Sequence, residues 1–179
     1  MSMDRIWAPW RLAYVQGETE GGEAPAEACS YLPGADPECF LCQAVADTTH
    51  DRGRLVVARN RHCLTVLNRY PYNNGHLLVA PCAHRARLEE LAPEEHAAMM
   101  QELTRWVGVL ERLLKADGIN VGLNLGRAAG AGLPGHLHWH IVPRWIGDTN
   151  FMPALAGIKV IPQSLETLWE ALVLGEGTR

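Results

Sequence analysis

The chain has 179 residues, with 16 basic and 20 acidic side chains and a formal net charge of −4. This length predicts one ordinary domain with an appendage and excludes a large multidomain assembly. The composition, 47% hydrophobic and 20% charged, excludes a wholly disordered chain. Because no apolar run reaches the roughly 18 residues of a membrane-spanning helix and no signal peptide is visible, we expect a cytoplasmic protein without a membrane partner.

The negative charge is concentrated near the N-terminus. Residues 17–38 hold six acidic and no basic side chains, so the rest of the chain carries 16 − 14 = +2. Residues 1–16 contain two of the six tryptophans, Trp7 and Trp10, and form a predicted aromatic arm that packs on its own domain or on a second subunit. We therefore predict an arm at 1–16, an acidic flexible linker at 17–38, and a main domain with a C-terminal helical extension at 39–179.

The predicted elements of the main domain show no regular alternation of strand and helix. A short helix is expected at 38–46, and turn residues separate three predicted strands at 55–58, 63–67 and 76–80. A long helix is expected from Pro93 to a stop at Gly118, with its apolar stripe at Met100, Leu103, Val107, Leu110 and Leu114. Two strands at 119–125 and 136–142 and a last helix at 164–174, ending at Gly175, follow. This order predicts an α+β fold, with an antiparallel sheet of about five strands, one long helix and a C-terminal helix.

Three histidines alternate with apolar residues in the last predicted strand. Since residues two apart point to one face of a strand, His136, His138 and His140 are expected to form a row with neighbours roughly 6.5–7 Å apart. The apolar residues between them are expected on the opposite, buried face. Any half-exposed strand alternates in this way, but three histidines in alternation point to a functional site.

The row is compatible with two kinds of chemistry: a metal site, or a nucleophile flanked by proton donors. Residues 126–135, directly before the row, contain four glycines whose bare N–H groups suit phosphate oxygens. A histidine that attacks phosphorus, with donors that stabilise the phosphoryl oxygens, explains both features.

The sequence around the row resembles the histidine triad superfamily. The resemblance rests first on Gly-His-Leu-His-Trp-His-Ile-Val-Pro at 135–143. It extends to Asn-Arg-Tyr-Pro-Tyr-Asn-Asn-Gly-His at 68–76, Asn-Leu-Gly-Arg-Ala-Ala-Gly-Ala-Gly at 124–132, Pro-Arg-Trp-Ile-Gly-Asp-Thr-Asn-Phe-Met at 143–152, and the Trp-Ala-Pro-Trp-Arg of the arm. These segments are similar to the bacterial branch related to diadenosine tetraphosphate phosphorylase and hydrolase. The resemblance implies a histidine triad fold and a homodimer or higher homo-oligomer.

The resemblance also implies a mechanism. His138 is then the nucleophile that attacks the α-phosphorus of a dinucleoside polyphosphate and forms a nucleotidyl-imidazole intermediate. His140 hydrogen-bonds the phosphate or the leaving group, and His136 orients its neighbour or ligates zinc. Inorganic phosphate or water resolves the intermediate, which for diadenosine tetraphosphate gives ADP and ATP or AMP and ATP. No nucleic acid partner is expected.

Nucleotide-binding residues are implied by similarity as well. Asn68 is expected near the ribose or nucleotide, Asn124 and the backbone of Ala131 and Gly132 near the phosphates, and Trp145 against a base or the polyphosphate. Many relatives carry Gln or Ser in the loop before the triad. Gly132 and Leu133 leave only backbone donors there.

Two further features of the sequence concern His136: the residue before it and a possible zinc site. Gly135 replaces a residue that is commonly acidic or bulky in relatives, which questions the support of His136. The Cys39–Cys42 pair resembles half of the zinc site of metal-bearing relatives, which His84 and His136 would complete as a structural site. Two buried cysteines without a metal are the alternative, and His62 is a reserve metal ligand.

Two other functions stay open. The triad could be catalytically idle in a nucleotide-binding sensor or scaffold, or it could itself ligate the metal of a zinc-dependent phosphohydrolase. Arg127 and Arg144 flank the triad and suit a polyanionic substrate. His76 precedes a predicted strand and is either a core histidine or a neighbour of the site.

Overall fold

A computed structural model describes residues 30–148 and 160–176. The predicted arm at 1–16 and residues 17–29 of the predicted linker lie outside the described residues, as do 149–159. In the described part of the linker, the Ala35 N–H donates to the Leu32 carbonyl at 3.0 Å, and Tyr31 and Ala35 pack against the domain. The domain boundaries stay a prediction.

Five strands form one antiparallel sheet, as the sequence predicts. They are β1 (Val56–Arg59), β2 (Cys63–Leu67), β3 (Leu77–Pro81), β4 (Gly118–Leu123) and β5 (Trp139–Arg144). Their order across the sheet is β1-β2-β3-β5-β4, and every neighbouring pair is antiparallel. The last strand in sequence therefore lies between β3 and the edge strand β4.

Three α-helices accompany the sheet in the described residues: α1 (Phe40–Ala46), α2 (Pro93–Leu114) and α3 (Leu165–Glu176). The α+β prediction is confirmed. α2 begins as predicted, with a proline in its first turn and the Glu95 carboxylate accepting the Ala92 N–H at 2.8 Å. None of the described helices has the length and apolar character needed to cross a membrane.

Two predicted helix ends are wrong. α2 ends at Leu114 because Lys115 adopts a left-handed conformation with φ of 51°, and Gly118 is instead the first residue of β4. α3 continues through Gly175 to Glu176, since a single glycine near a helix end costs little backbone stability.

The two faces of the sheet are both covered. One face packs against α2 and α3 and includes Leu77 and Val79, while the other packs against α1 and includes Leu78 and Ala80. Side chains that alternate along β3 thus enter two different cores. The histidine row lies on the α1 face, because His140 is opposite Leu78.

The buried stripe of α2 differs from the predicted one. Met99 is 1% exposed and Met100 is 46% exposed, although Met100 was the predicted core residue. The helix buries Leu103, Trp106 and Leu110. With about 3.6 residues per turn, Met99 falls on that stripe and Met100 roughly a quarter turn away from it.

The histidine row begins before its strand. β5 starts at Trp139, opposite Val79 of β3, so that only His140 lies within it. Pro81 of β3 lacks an N–H to continue the ladder, and the Leu137 N–H donates instead to the Arg85 carbonyl at 2.6 Å. The alternation persists, since Leu137 joins the α2 core.

Candidate functional site

Four metal-ligating side chains meet between α1 and the segment that precedes β5. One donor atom each from Cys39, Cys42, His84 and His136 lies within 4.8 Å of the others. The Cys39 Sγ is 3.3 Å from His136 Nδ1, and the Cys42 Sγ is 3.2 Å from His84 Nδ1. Two thiols and two imidazole nitrogens at these separations suit a tetrahedral metal ion such as Zn²⁺. These are the four residues that the family resemblance implies as zinc ligands.

The local fold orients these ligands. Cys39 precedes the first turn of α1 and Cys42 lies three residues later, so both sulfurs point to one side of the helix. The Nε2–H of His136 donates to the Pro81 carbonyl at 2.9 Å, which leaves the lone pair of Nδ1 directed at the thiols. Burial lowers the pKa of His136 to about 4 and raises the pKa of the Cys39 thiol to about 12. Without a metal ion, His136 is therefore neutral, as a metal ligand must be, and the Cys39 thiol is protonated, so that a bound ion would displace its proton.

Gly135 does not weaken the support of His136. That support comes from a backbone carbonyl and so needs no acidic neighbour. A Cβ at position 135 would instead lie 3.3 Å from the His84 Nε2, so any larger residue there would crowd the His84 ring. The reserve candidate His62 is not part of the cluster found among the described residues.

His138 is held in a single tautomer. Its Nδ1–H donates to the His136 carbonyl at 2.8 Å, so that Nε2 carries the free lone pair. Burial lowers the pKa of His138, which outweighs the opposing effect of this hydrogen bond. At neutral pH, His138 therefore presents an unprotonated imidazole nitrogen, the form that can act as a nucleophile.

His140 is paired with His76 from the start of β3. The two rings share a hydrogen bond of 2.9 Å between His76 Nε2 and His140 Nδ1. The Tyr72 N–H donates to His76 Nδ1 at 3.0 Å, so Nδ1 is an acceptor and the proton of neutral His76 is on Nε2. Burial, followed by the charge of His140, lowers the pKa of His76 to about 3. His76 is thus a neutral donor to His140.

The pairing determines which nitrogen of His140 is protonated. Burial lowers the pKa of His140 to about 4, and its Nδ1 accepts from His76, so the ring proton is on Nε2. That nitrogen lies 3.4 Å from the side-chain amide of Asn124, whose oxygen can accept the proton after a half-turn. The site therefore combines a free nitrogen on His138 with an N–H donor on His140, whose rings are 5.1 Å apart.

Asn68 contributes to the same network. Its Oδ1 accepts the Tyr70 N–H at 3.0 Å, which identifies Nδ2 as the atom 3.1 Å from His76 Nδ1. In this structure Asn68 therefore positions His76. Its predicted contact with the nucleotide stays a prediction.

The glycine-rich loop supplies fewer backbone donors than predicted. The Ala131 N–H is occupied, because it donates to the Gly126 carbonyl at 3.2 Å. The Gly132 N–H has no partner within the described residues. Asn124 is beside His140, as expected for a residue near the phosphates.

Trp145 lies away from the triad. Its indole N–H donates to the Lys115 carbonyl at 2.9 Å, near the C-terminus of α2. At about 3.3 Å per residue, it is roughly 16 Å along the strand from His140. The structure thus does not bring Trp145 to the triad, and its role in nucleotide binding stays a prediction.

Comparisons with known proteins agree with this geometry. The HIT domain, the histidine triad domain, matches residues 51–145. This chain belongs to the histidine triad family. A protein named AP-4-A phosphorylase from Mycobacterium tuberculosis is 38% identical over 168 residues, 91% of this chain and 79% of that protein. The asymmetrical bis(5′-nucleosyl)-tetraphosphatase of Schizosaccharomyces pombe is 33% identical over 96 residues, 54% of this chain and 52% of that protein.

A solved structure supports the fold. A Zn-bound histidine triad family protein from Mycobacterium smegmatis superposes with a TM-score of 0.57 at 28% identity, covering 69% of this chain and 84% of that one. The histidine triad fold predicted from the sequence is therefore confirmed.

In this histidine triad protein, His76 was predicted only as a core histidine or a neighbour of the site. Tyr72, whose ring stacks on His140 with centroids 5.6 Å apart, was not predicted at all. The Gly-His pair before a predicted strand was the only local sign of His76 in the site, and a histidine that merely fills the core can show the same pattern. His76 and His140 are 64 positions apart, so no local pattern predicts their contact.

We expect His76→Ala to reduce kcat by about 10- to 100-fold and to change KM little, because His140 loses the donor that orients its proton. His76→Gln keeps a side-chain N–H donor and should recover part of this loss. Steady-state kinetics of both variants measure the effect. Equal activity of the alanine variant and the wild type would mean that His76 only fills the core.

Proposed function

We propose that this histidine triad protein cleaves dinucleoside polyphosphates at the α-phosphorus, with His138 as the nucleophile. The observation that carries the proposal is the hydrogen bond from His138 Nδ1 to the His136 carbonyl, which leaves Nε2 free in a buried, neutral ring. The name of the relative from M. tuberculosis supports the substrate class.

In the first step, the Nε2 of His138 attacks the α-phosphorus. An N–P bond forms as the P–O bond to the rest of the polyphosphate breaks, and the leaving oxygen takes its negative charge with it. His140 donates its Nε2–H to that oxygen or to the phosphoryl group, and Asn124 and the Gly132 N–H provide further donors. These groups replace the Gln or Ser side chain that the loop lacks.

In the second step, an acceptor oxygen attacks the same phosphorus and the N–P bond breaks, which frees His138. We propose inorganic phosphate as the acceptor, since the M. tuberculosis relative is named a phosphorylase. Diadenosine tetraphosphate and phosphate then give ADP and ATP. With water as the acceptor, the products are AMP and ATP.

We also propose that the Cys/His cluster holds Zn²⁺ as a structural ion, through Cys39, Cys42, His84 and His136. Such an ion would crosslink α1 to the segment that carries His136. The carbonyl of His136 in turn holds the Nδ1–H of His138. The ligands of the cluster therefore orient the nucleophile without touching the substrate.

The zinc-dependent phosphohydrolase is less well supported. That alternative needs the triad as metal ligands, but among the described residues the cluster includes only His136 of the three. His138 and His140 are hydrogen-bonded to a backbone carbonyl and to His76 instead. The homodimer and the cytoplasmic location stay predictions.

Product analysis tests the proposed reaction. Purified protein is incubated with diadenosine tetraphosphate, with and without inorganic phosphate, and the nucleotides are separated by anion-exchange chromatography. We expect ADP and ATP only when phosphate is present. AMP and ATP in both reactions would identify water as the acceptor, and intact substrate in both would favour the sensor with an idle triad.

A further inference from the structure

Among the described residues, Arg127 is a cation without a counterion, in the loop that precedes the histidine row. It begins the short 3₁₀ turn Arg127–Ala129 in the loop between β4 and β5, and it is exposed. Its side chain makes no hydrogen bond or ion pair with any described residue. No Asp or Glu occurs between Asp117 and Asp148, so neither this loop nor its flanking strands carry a compensating charge.

The loop holds the backbone of Arg127 in a defined conformation. The Gly130 N–H donates to the Arg127 carbonyl at 3.0 Å, and the Ala131 N–H donates to the Gly126 carbonyl at 3.2 Å. Gly126 and Gly130 have φ values of 79° and 88°, which glycine adopts without strain. These contacts stabilise the loop but leave the guanidinium free.

Arg127 is close enough to the triad to reach a bound substrate. Asn124 contacts His140 at 3.4 Å, and Arg127 is only three residues further along the chain. Three residues span at most about 10 Å between Cα atoms, even when fully extended. The long arginine side chain can therefore reach a substrate that lies against Asn124.

Arg144 provides a contrast. Its guanidinium donates to both carboxylate oxygens of Asp148, at 2.6 and 3.0 Å, and to Asn120 Oδ1 at 3.0 Å. Its charge and most of its donors are thus already used within the protein. The predicted pair of flanking arginines therefore contains one compensated and one uncompensated cation.

We propose that Arg127 binds the distal phosphates of the polyphosphate and gives the site its preference for a long phosphate chain. This inference rests on the proposed function. In an in-line displacement, the leaving chain departs on the side opposite the nucleophile, where His140 and Asn124 would meet its first oxygen. Further phosphates extend outward past Asn124, and a guanidinium binds their oxygens through two parallel hydrogen bonds.

Two substrates distinguish binding of the distal phosphates from a general effect of Arg127 on catalysis. Diadenosine tetraphosphate has distal phosphates, whereas the p-nitrophenyl ester of AMP has the same α-phosphorus without them. We expect Arg127→Ala to lower kcat/KM for diadenosine tetraphosphate about tenfold and to leave kcat/KM for the ester within about twofold. Arg127→Lys, which keeps the charge but not the planar fork, should fall between the alanine variant and the wild type.

Arg112→Ala is the matched control. Arg112 is also exposed, but it lies on α2, across the sheet from the histidines. It should change neither rate. If Arg127→Ala behaves like this control, or if it lowers both rates equally, the inference is wrong and the proposed function stands. If the wild type turns over the ester but not diadenosine tetraphosphate, the proposed function itself fails.

Discussion

His138→Asn is expected to lower turnover of diadenosine tetraphosphate by at least about 10⁴-fold. Asparagine cannot form the N–P bond, and no other described histidine offers a free nitrogen in the same position: His140 Nδ1 is paired with His76, and His136 Nε2 with Pro81. The change removes a nucleophile but keeps a polar side chain that can donate to the His136 carbonyl. We therefore expect a folded protein that still binds nucleotide.

Turnover is measured by product release, and binding by calorimetry with a non-hydrolysable dinucleotide. His96→Asn is the matched control, since the His96 ring lies near the N-terminus of α2, outside the candidate site, and hydrogen-bonds the Leu88 carbonyl at 3.0 Å. It should retain full activity. Comparable turnover in the two variants would contradict the assignment of His138 as the nucleophile.

Cys42→Ser is expected to abolish the proposed binding of Zn²⁺ and to lower the free energy of unfolding by about 3 kcal/mol or more. Cys42 is 2% exposed and contacts both His84 and His136, so its loss leaves one half-buried and one buried imidazole without a common partner. Metal content per chain and chemical denaturation measure the two effects.

Cys82→Ser is the control for this change, because Cys82 is half-buried and lies outside the cluster. It should bind as much Zn²⁺ as the wild type and keep nearly all of its stability. A wild type that binds no zinc and matches Cys42→Ser in stability would instead support the alternative of two buried cysteines without a metal.

Much of the fold follows from local patterns. Strand β2 is observed at the predicted bounds, Cys63–Leu67, because a run of apolar and β-branched residues between turns has few other conformations. Helix α2 begins at Pro93, where proline and two glutamates favour a first turn. Helix ends were predicted less well, since Lys115 adopts a left-handed conformation that its side chain does not signal.

The members of the Cys/His cluster could be predicted only from the family resemblance. Cys39 and His136 are 97 residues apart, and no periodicity relates them. The resemblance identified all four residues, and the structure brings their donor atoms together. Trp145 shows the limit of the same reasoning, because its motif matches but its indole is bonded to the end of α2.

The sequence by itself determined the class of fold, the strand content and the alternating histidines, and its resemblance to a known family implied the four residues of the Cys/His cluster. Only the tertiary structure decided which imidazole nitrogens are free. That outcome depends on two local hydrogen bonds, from the Tyr72 N–H to His76 and from His138 to the His136 carbonyl. It depends also on the hydrogen bond between His76 and His140, which forms only when β3 and β5 become neighbours in the sheet. Tautomers and lowered pKa values arise from burial and from such long-range contacts, and these are properties of the packed chain.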